Sequence, residues 1–220
     1  MVVRILALHG YSQNAIAFEK RLTALRKTCG AEVEFVCLAG PLLLASQLPN
    51  TNIPAFDSSD AIEANESRAW IQWRKDDPNH HGFPETLALL RDTLSERHFD
   101  GVLGFSQGAA MAALLCALLE RPHIYPPFSI DGKAPHPPLK FCIAVSGFRV
   151  PGTIGDLVFP KNMKFDTPTL HIIARNDSIV AEKSSRELAA LWKISRVEIH
   201  EGGHRIPTQQ SWSELMARSQ

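Results

Sequence analysis

Residues 102–110 read Val-Leu-Gly-Phe-Ser-Gln-Gly-Ala-Ala, and no other stretch of the chain constrains the fold as tightly. Asp100 and Gly101 form a turn that opens a short apolar run, and an Ala/Leu/Met-rich stretch follows over 109–119. This pattern predicts a buried strand, a sharp turn and a buried helix. At the turn lies Gly104-Phe105-Ser106-Gln107-Gly108, a G-x-S-x-G motif. In such a turn the central serine backbone is strained, and the residues two before and two after it must be small so that strand and helix can approach. The serine Oγ then stands at the positive end of a helix. The alternative is a glycine-rich strand-to-helix turn with an N-capping serine, so the rest of the chain has to decide.

Strands are predicted at 2–8, 33–38, 141–145, 169–174 and 197–200, and helices at 15–29, 85–97, 181–192 and 208–216. Gly30 stops the first helix, and Leu87, Leu90 and Leu94 form one stripe of the second. Alternating strands and helices predict an α/β fold, with a mostly parallel central sheet flanked by helices. Prolines make 121–139 a loop, and another loop passes Gly152, Gly155 and Pro160. No internal repeat is present, and 220 residues read as a single domain, 1–220. The weakly patterned segment 42–84 is the candidate insertion. It predicts a short helix near 63–73 with Trp70 and Trp73 on one face, and those tryptophans cover either the core or a substrate pocket.

Lysine plus arginine equals aspartate plus glutamate at 23 each, so the formal net charge is zero. No basic run points to nucleic acid, and no apolar run is long enough to span a membrane. Residues 1–8 are too short for a secretory h-region. Cys29, Cys37, Cys116 and Cys142 lack paired spacing and read as buried thiols of a reducing, cytoplasmic compartment. There is no metal-ligand spacing and no nucleotide-binding motif, so no cofactor is expected.

A serine hydroxyl needs a base within hydrogen-bond reach, and the base needs an orienting group. Reactive groups of parallel α/β sheets gather at the carboxyl ends of strands. After Ser106, Asp177 follows one predicted strand end and His204 another, giving the chain order Ser, Asp, His. Ser106 is the expected nucleophile, His204 the base and Asp177 the orienting acid. Gly202 and Gly203 let the His204 loop fold closely against the serine turn. Backbone N–H groups of Gln107 and Tyr11 are the expected oxyanion donors, with Ser12 as the alternative to Tyr11. His200 is a rival base and Asp156 a rival acid. His9 and His171 read as structural, and His80 and His81 as solvated.

The chain resembles the family of serine hydrolases (FSH) within the α/β-hydrolase superfamily. The resemblance rests on the segments 8–14 (LHGYSQN), 68–70 (RAW), 104–109 (GFSQGA), 141–148 (FCIAVSGF), 168–173 (PTLHII), 176–180 (NDSIV) and 202–204 (GGH). It implies an α/β-hydrolase core lacking the superfamily's first two strands. It also implies a cofactor-free triad at Ser106, Asp177 and His204, and cleavage of small-molecule esters or thioesters through an acyl-enzyme. Fungal members resembling this chain release acyl chains from polyketide synthase carrier domains, so an acyl carrier domain or CoA thioester is a second substrate class. A non-catalytic binding scaffold and acyl transfer to an alcohol or amine are the remaining readings. Trp70, Phe148 and Arg205 are the expected pocket residues. Arg205 stands where the family often has an aromatic residue or Met, and its charge either favours an acidic or polar substrate or points to solvent.

Overall fold

The computed structural model describes residues 2–44, 66–74 and 77–217. Its centre is a six-stranded sheet built from β1 (Val3–Leu8), β2 (Val33–Leu38), β7 (Gly101–Phe105), β8 (Phe141–Val145), β9 (Thr169–Ala174) and β10 (Ser195–His200). The spatial order is β10-β9-β8-β7-β1-β2. Every neighbouring pair is parallel. The middle strands β7, β8 and β9 are buried along their whole length, as expected for a parallel sheet covered on both faces.

The helices are α1 (Ala15–Arg21), α2 (Thr23–Cys29), α3 (Phe83–Glu96), α4 (Gln107–Glu120), α5 (Gly152–Val158), α6 (Glu182–Ala189) and α7 (Gln210–Ala217). Helix α4 is buried from Gln107 to Leu119. That explains its apolar surface on all sides. The helix predicted over 15–29 is broken at Leu22, whose side chain is fully buried. Gly30 ends α2 with φ +66°, a conformation glycine adopts without strain. The 148–160 stretch, predicted as loop, holds α5.

Among the described residues there are four further short strands: β3 (Leu42–Leu43), β4 (Arg68–Ala69), β5 (Gln72–Arg74) and β6 (Asp77–His81). β3 pairs with β4 and β5 with β6, both antiparallel. The predicted helix near 63–73 is therefore replaced by extended chain over 68–74, while 63–65 lie outside the described residues. Much of the candidate insertion 42–84 also lies outside them. All four cysteines are thiols, none of them in a disulfide. Among the described residues, no helix is long and apolar enough to cross a membrane.

Candidate active site

Ser106 follows β7 and begins the turn into α4 with φ 52° and ψ −117°. Its N–H donates to the Val145 carbonyl at 2.8 Å, and its own carbonyl accepts from Ala109 and Ala110 at 3.0 and 3.1 Å. Those bonds hold a backbone conformation that a non-glycine residue resists. A Cβ on Gly104 would overlap the Gly108 carbonyl, and one on Gly108 would overlap the carbonyls of Leu8 and His9. Both glycines of the motif are thus required by close backbone approach.

The His204 loop follows β10, and the Asp177 loop follows β9. Nδ1 of His204 lies 2.7 Å from Asp177 Oδ2, and Nε2 lies 2.8 Å from Ser106 Oγ. A carboxylate cannot donate, so Nδ1–H donates to Asp177 and the Nε2 lone pair faces the serine hydroxyl. The His204 and Asp177 side chains are 5% and 1% exposed. Burial alone would raise the Asp177 carboxyl. The His204 hydrogen bond and the N–H groups of Val180 and Ile179, at 2.8 and 2.9 Å on Oδ1, outweigh it and hold the carboxyl below its ordinary range. The two loops are tied to each other: Asn176 donates to the Glu201 carbonyl at 2.9 Å. Gly202 packs against the His200 imidazole, where a Cβ would sit 2.8 Å from Nδ1. The first loop glycine therefore serves His200 and not the serine turn.

Gln107 is the first residue of α4, so its N–H has no intrahelical acceptor. Its side chain is committed elsewhere. Oε1 accepts the Trp70 N–H at 2.8 Å, and Nε2 donates to the Ile71 carbonyl at 2.8 Å. The Trp70 indole donates to the His9 carbonyl at 2.8 Å. His9 Nδ1 is 2.7 Å from the Gly10 carbonyl, and Nε2 accepts from Gly40 N–H at 2.8 Å. Burial lowers the His9 pKa to about 4, so the ring is neutral at pH 7. His9 is structural, as expected. It fixes the loop from which Tyr11 reaches the site.

Ser106, Gln107 and Tyr11 line one cavity of about 900 Å³. Its apolar walls include Trp73, Phe148 and Val180. Trp73 and Phe148 are in ring contact, with centroids 5.8 Å apart. Of the expected pocket residues, Phe148 lines this cavity and Trp70 does not. Trp70 is fully buried beneath the site, because extended chain alternates its side chains and sends Trp73 to the pocket. Arg205 also lies elsewhere. It is exposed in a separate groove with His200 and Trp212, behind the loop that carries His204.

A family model described as "Serine hydrolase (FSH1)" matches residues 1–216. The chain belongs to this family. "Esterase OVCA2" of Danio rerio is 30% identical over 99% of this chain and 98% of its own length. The Xenopus tropicalis protein of the same name is 32% identical over 94% of this chain and 86% of its own length. Arabidopsis thaliana SOBER1 superposes with a TM-score of 0.61 at 16% identity, covering 100% of this chain and 97% of that one. Zea mays acyl-protein thioesterase 2 gives 0.60 at 16%, covering 99% and 94%. The fold is that of the α/β-hydrolases.

The rival groups of this FSH1 member are accounted for. Asp156 lies on α5 and pairs with Arg149 at 2.6 Å. His200 packs edge-on against Trp212 and accepts the Gly202 N–H at 3.2 Å. His171 is buried in β9 against Thr169 Oγ1 at 3.1 Å. His81 is exposed as expected, but His80 is buried, with Nε2 2.7 Å from the Pro151 carbonyl. That bond ties the β5–β6 hairpin, and with it Trp73, to the far wall of the pocket. Two features carry no sequence signal: the role of the Gln107 side-chain amide, since the motif fixes only the backbone N–H expected of that position, and Arg149, which belongs to no motif. Among the described residues, no group of three or more His, Cys, Asp or Glu is placed to hold a metal ion.

Proposed function

We propose that this serine hydrolase cleaves carboxylic esters or thioesters through Ser106, His204 and Asp177 and an acyl-enzyme intermediate. The observation that carries the reading is the continuous bond path from Asp177 Oδ2 through His204 to Ser106 Oγ, with links of 2.7 and 2.8 Å. It opens on a largely apolar cavity. Ser106 Oγ attacks the acyl carbon while His204 Nε2 takes its proton. The tetrahedral oxyanion is met by the N–H groups of Gln107 and Tyr11. Collapse expels the alcohol or thiol, which leaves with the proton from His204. Water then enters, activated by the same imidazole, and releases the acid. Asp177 holds the imidazole tautomer and stabilises the imidazolium.

Residues 1–220 act as one catalytic domain in this reading, in keeping with a family match over 1–216. Relatives that bear the name esterase support the ester class. A thioester on CoA or an acyl carrier domain offers the same acyl carbon with a better leaving group, so the same residues serve it. A cytoplasmic setting fits four cysteines that are all thiols.

The test is intact mass after treatment with a fluorophosphonate, on wild type and on Ser106→Ala. One adduct on wild type and none on the variant is expected. A folded wild type that takes no adduct, and turns over no ester or thioester, sinks the reading in favour of a binding scaffold.

A further inference from the structure

With Arg205 facing a different groove, the cation that lines the substrate cavity among the described residues is Arg149. Arg149 follows Phe148 and lines the same cavity as Ser106. Its Nη2 donates to the Gly155 carbonyl at 3.1 Å, to Asp156 Oδ1 at 2.6 Å and to the Phe159 carbonyl at 3.3 Å. One nitrogen therefore meets the acceptors of α5 and its C-terminus, and the guanidinium is held in place. Nε and Nη1 have no acceptor among the described residues, and the side chain keeps 36% exposure. Capping α5 requires only Nη2, so the remaining donors are left over for something else. The partner Asp156 is 73% exposed, where water screens most of its neutralising effect. Among the described residues that line the cavity the acid is Glu187, which has its own partner in Lys183 at 3.8 Å. Phe148 and Pro151 adjoin Arg149 in sequence and line the same wall, and low-dielectric walls strengthen a charged hydrogen bond. A pinned, partly desolvated guanidinium with two uncommitted nitrogens is a receptor for an anionic oxygen.

We propose that Arg149 is a specificity-determining residue that binds an anionic group of the substrate, a carboxylate or a phosphate. The inference rests on the serine-hydrolase reading of the same cavity. A carboxylate would belong to the acyl part of an ester and a phosphate to a pantetheine-type leaving group. The test uses two matched pairs: the mono-4-nitrophenyl ester of adipic acid against its neutral methyl diester counterpart, and S-hexanoyl phosphopantetheine against S-hexanoyl pantetheine. Wild type is expected to favour the charged member of at least one pair by ~10-fold or more in kcat/KM, as a hydrogen bond to a charged group supplies. The favoured pair identifies the source of the anion. Arg149→Met should bring that ratio close to one, and Arg149→Lys should retain part of it. Because the readout is a ratio within each protein, a general loss of activity does not mimic it. A wild type that hydrolyses the neutral members without preferring a charged one overturns the Arg149 assignment and leaves the serine-hydrolase reading standing, whether or not either variant folds. A charge preference that survives in folded Arg149→Met overturns it too. Absence of turnover together with absence of a fluorophosphonate adduct overturns the serine-hydrolase reading, and the Arg149 assignment falls with it.

Discussion

The side-chain amide of Gln107 is bonded to two successive residues of the pocket segment, accepting from Trp70 N–H and donating to the Ile71 carbonyl, both at 2.8 Å. A residue of the serine turn thus holds a chain 36 and 37 positions away. Gln107→Leu keeps the backbone N–H but leaves these buried groups unpaired. It should lower stability by about 1–3 kcal/mol, read by chemical denaturation. Unchanged stability would mean that the amide bonds are incidental.

In the proposed mechanism, removal of His204 or Asp177 should be nearly as severe as removal of Ser106. His204→Ala and Asp177→Asn are each expected to lose ~10³-fold or more in kcat, because residual rate comes only from oxyanion donors and binding. The losses should not add in the double variant. Full additivity in steady-state kinetics would show that the two act separately.

The two tryptophans should separate by phenotype. Trp70 is fully buried, so Trp70→Ala should cost about 3–5 kcal/mol. Trp73 is 44% exposed on the pocket wall. Trp73→Ala should change melting little and raise KM for longer acyl chains more than for acetyl esters. The reverse pattern would return Trp70 to the pocket.

Acidification should erode stability through the buried histidines. Burial lowers both His9 and His171 to about 4, against about 6.5 when unfolded. Between those values the unfolded chain binds protons that the folded chain refuses, so stability falls as pH falls from about 6.5 toward 4. His171→Leu removes one such group. The slope of unfolding free energy against pH, between pH 6 and 5, should shrink by about 1.2 kcal/mol per pH unit. An unchanged slope would show that His171 is protonated in the native state.

Gly108 leaves no room for a side chain against the Leu8 and His9 carbonyls. Gly108→Ala must part α4 from β1, and loss of soluble or active protein is expected. Wild-type melting and turnover in that variant would contradict the packing described for the serine turn.

Much of this was legible in the sequence because parallel sheets place chemistry at strand ends. Asp177 and His204 follow β9 and β10 closely, so chain order and spacing point to the pair that the fold brings within hydrogen-bond reach of each other and of Ser106. Trp70 and Arg205 were misplaced for a different reason. Side-chain direction over 68–74 depends on whether the segment is helical or extended, and that is settled by Gln107, which lies far along the chain. Arg205 needed the direction of a loop whose course is set by His200. Helix α5 was hidden by Pro151, Gly152, Gly155 and Pro160. Gly155 is there because a Cβ would overlap the Val150 carbonyl, a tertiary demand that looks like a breaker in one dimension.

The strand order also sets a timetable for synthesis. β1 and β2 can pair once about the first forty residues have emerged, since parallel neighbours need only their crossover. The other edge of β1 belongs to β7, at Gly101–Phe105. Until that strand is made, a buried-to-be row of Ile5, Leu6, Ala7 and Leu8 stands uncovered with its backbone groups open. The serine turn follows immediately after the strand that closes this edge. In a growing chain, Ser106 is therefore laid down directly after β7 covers β1, and the open edge then moves outward as β8, β9 and β10 add one at a time.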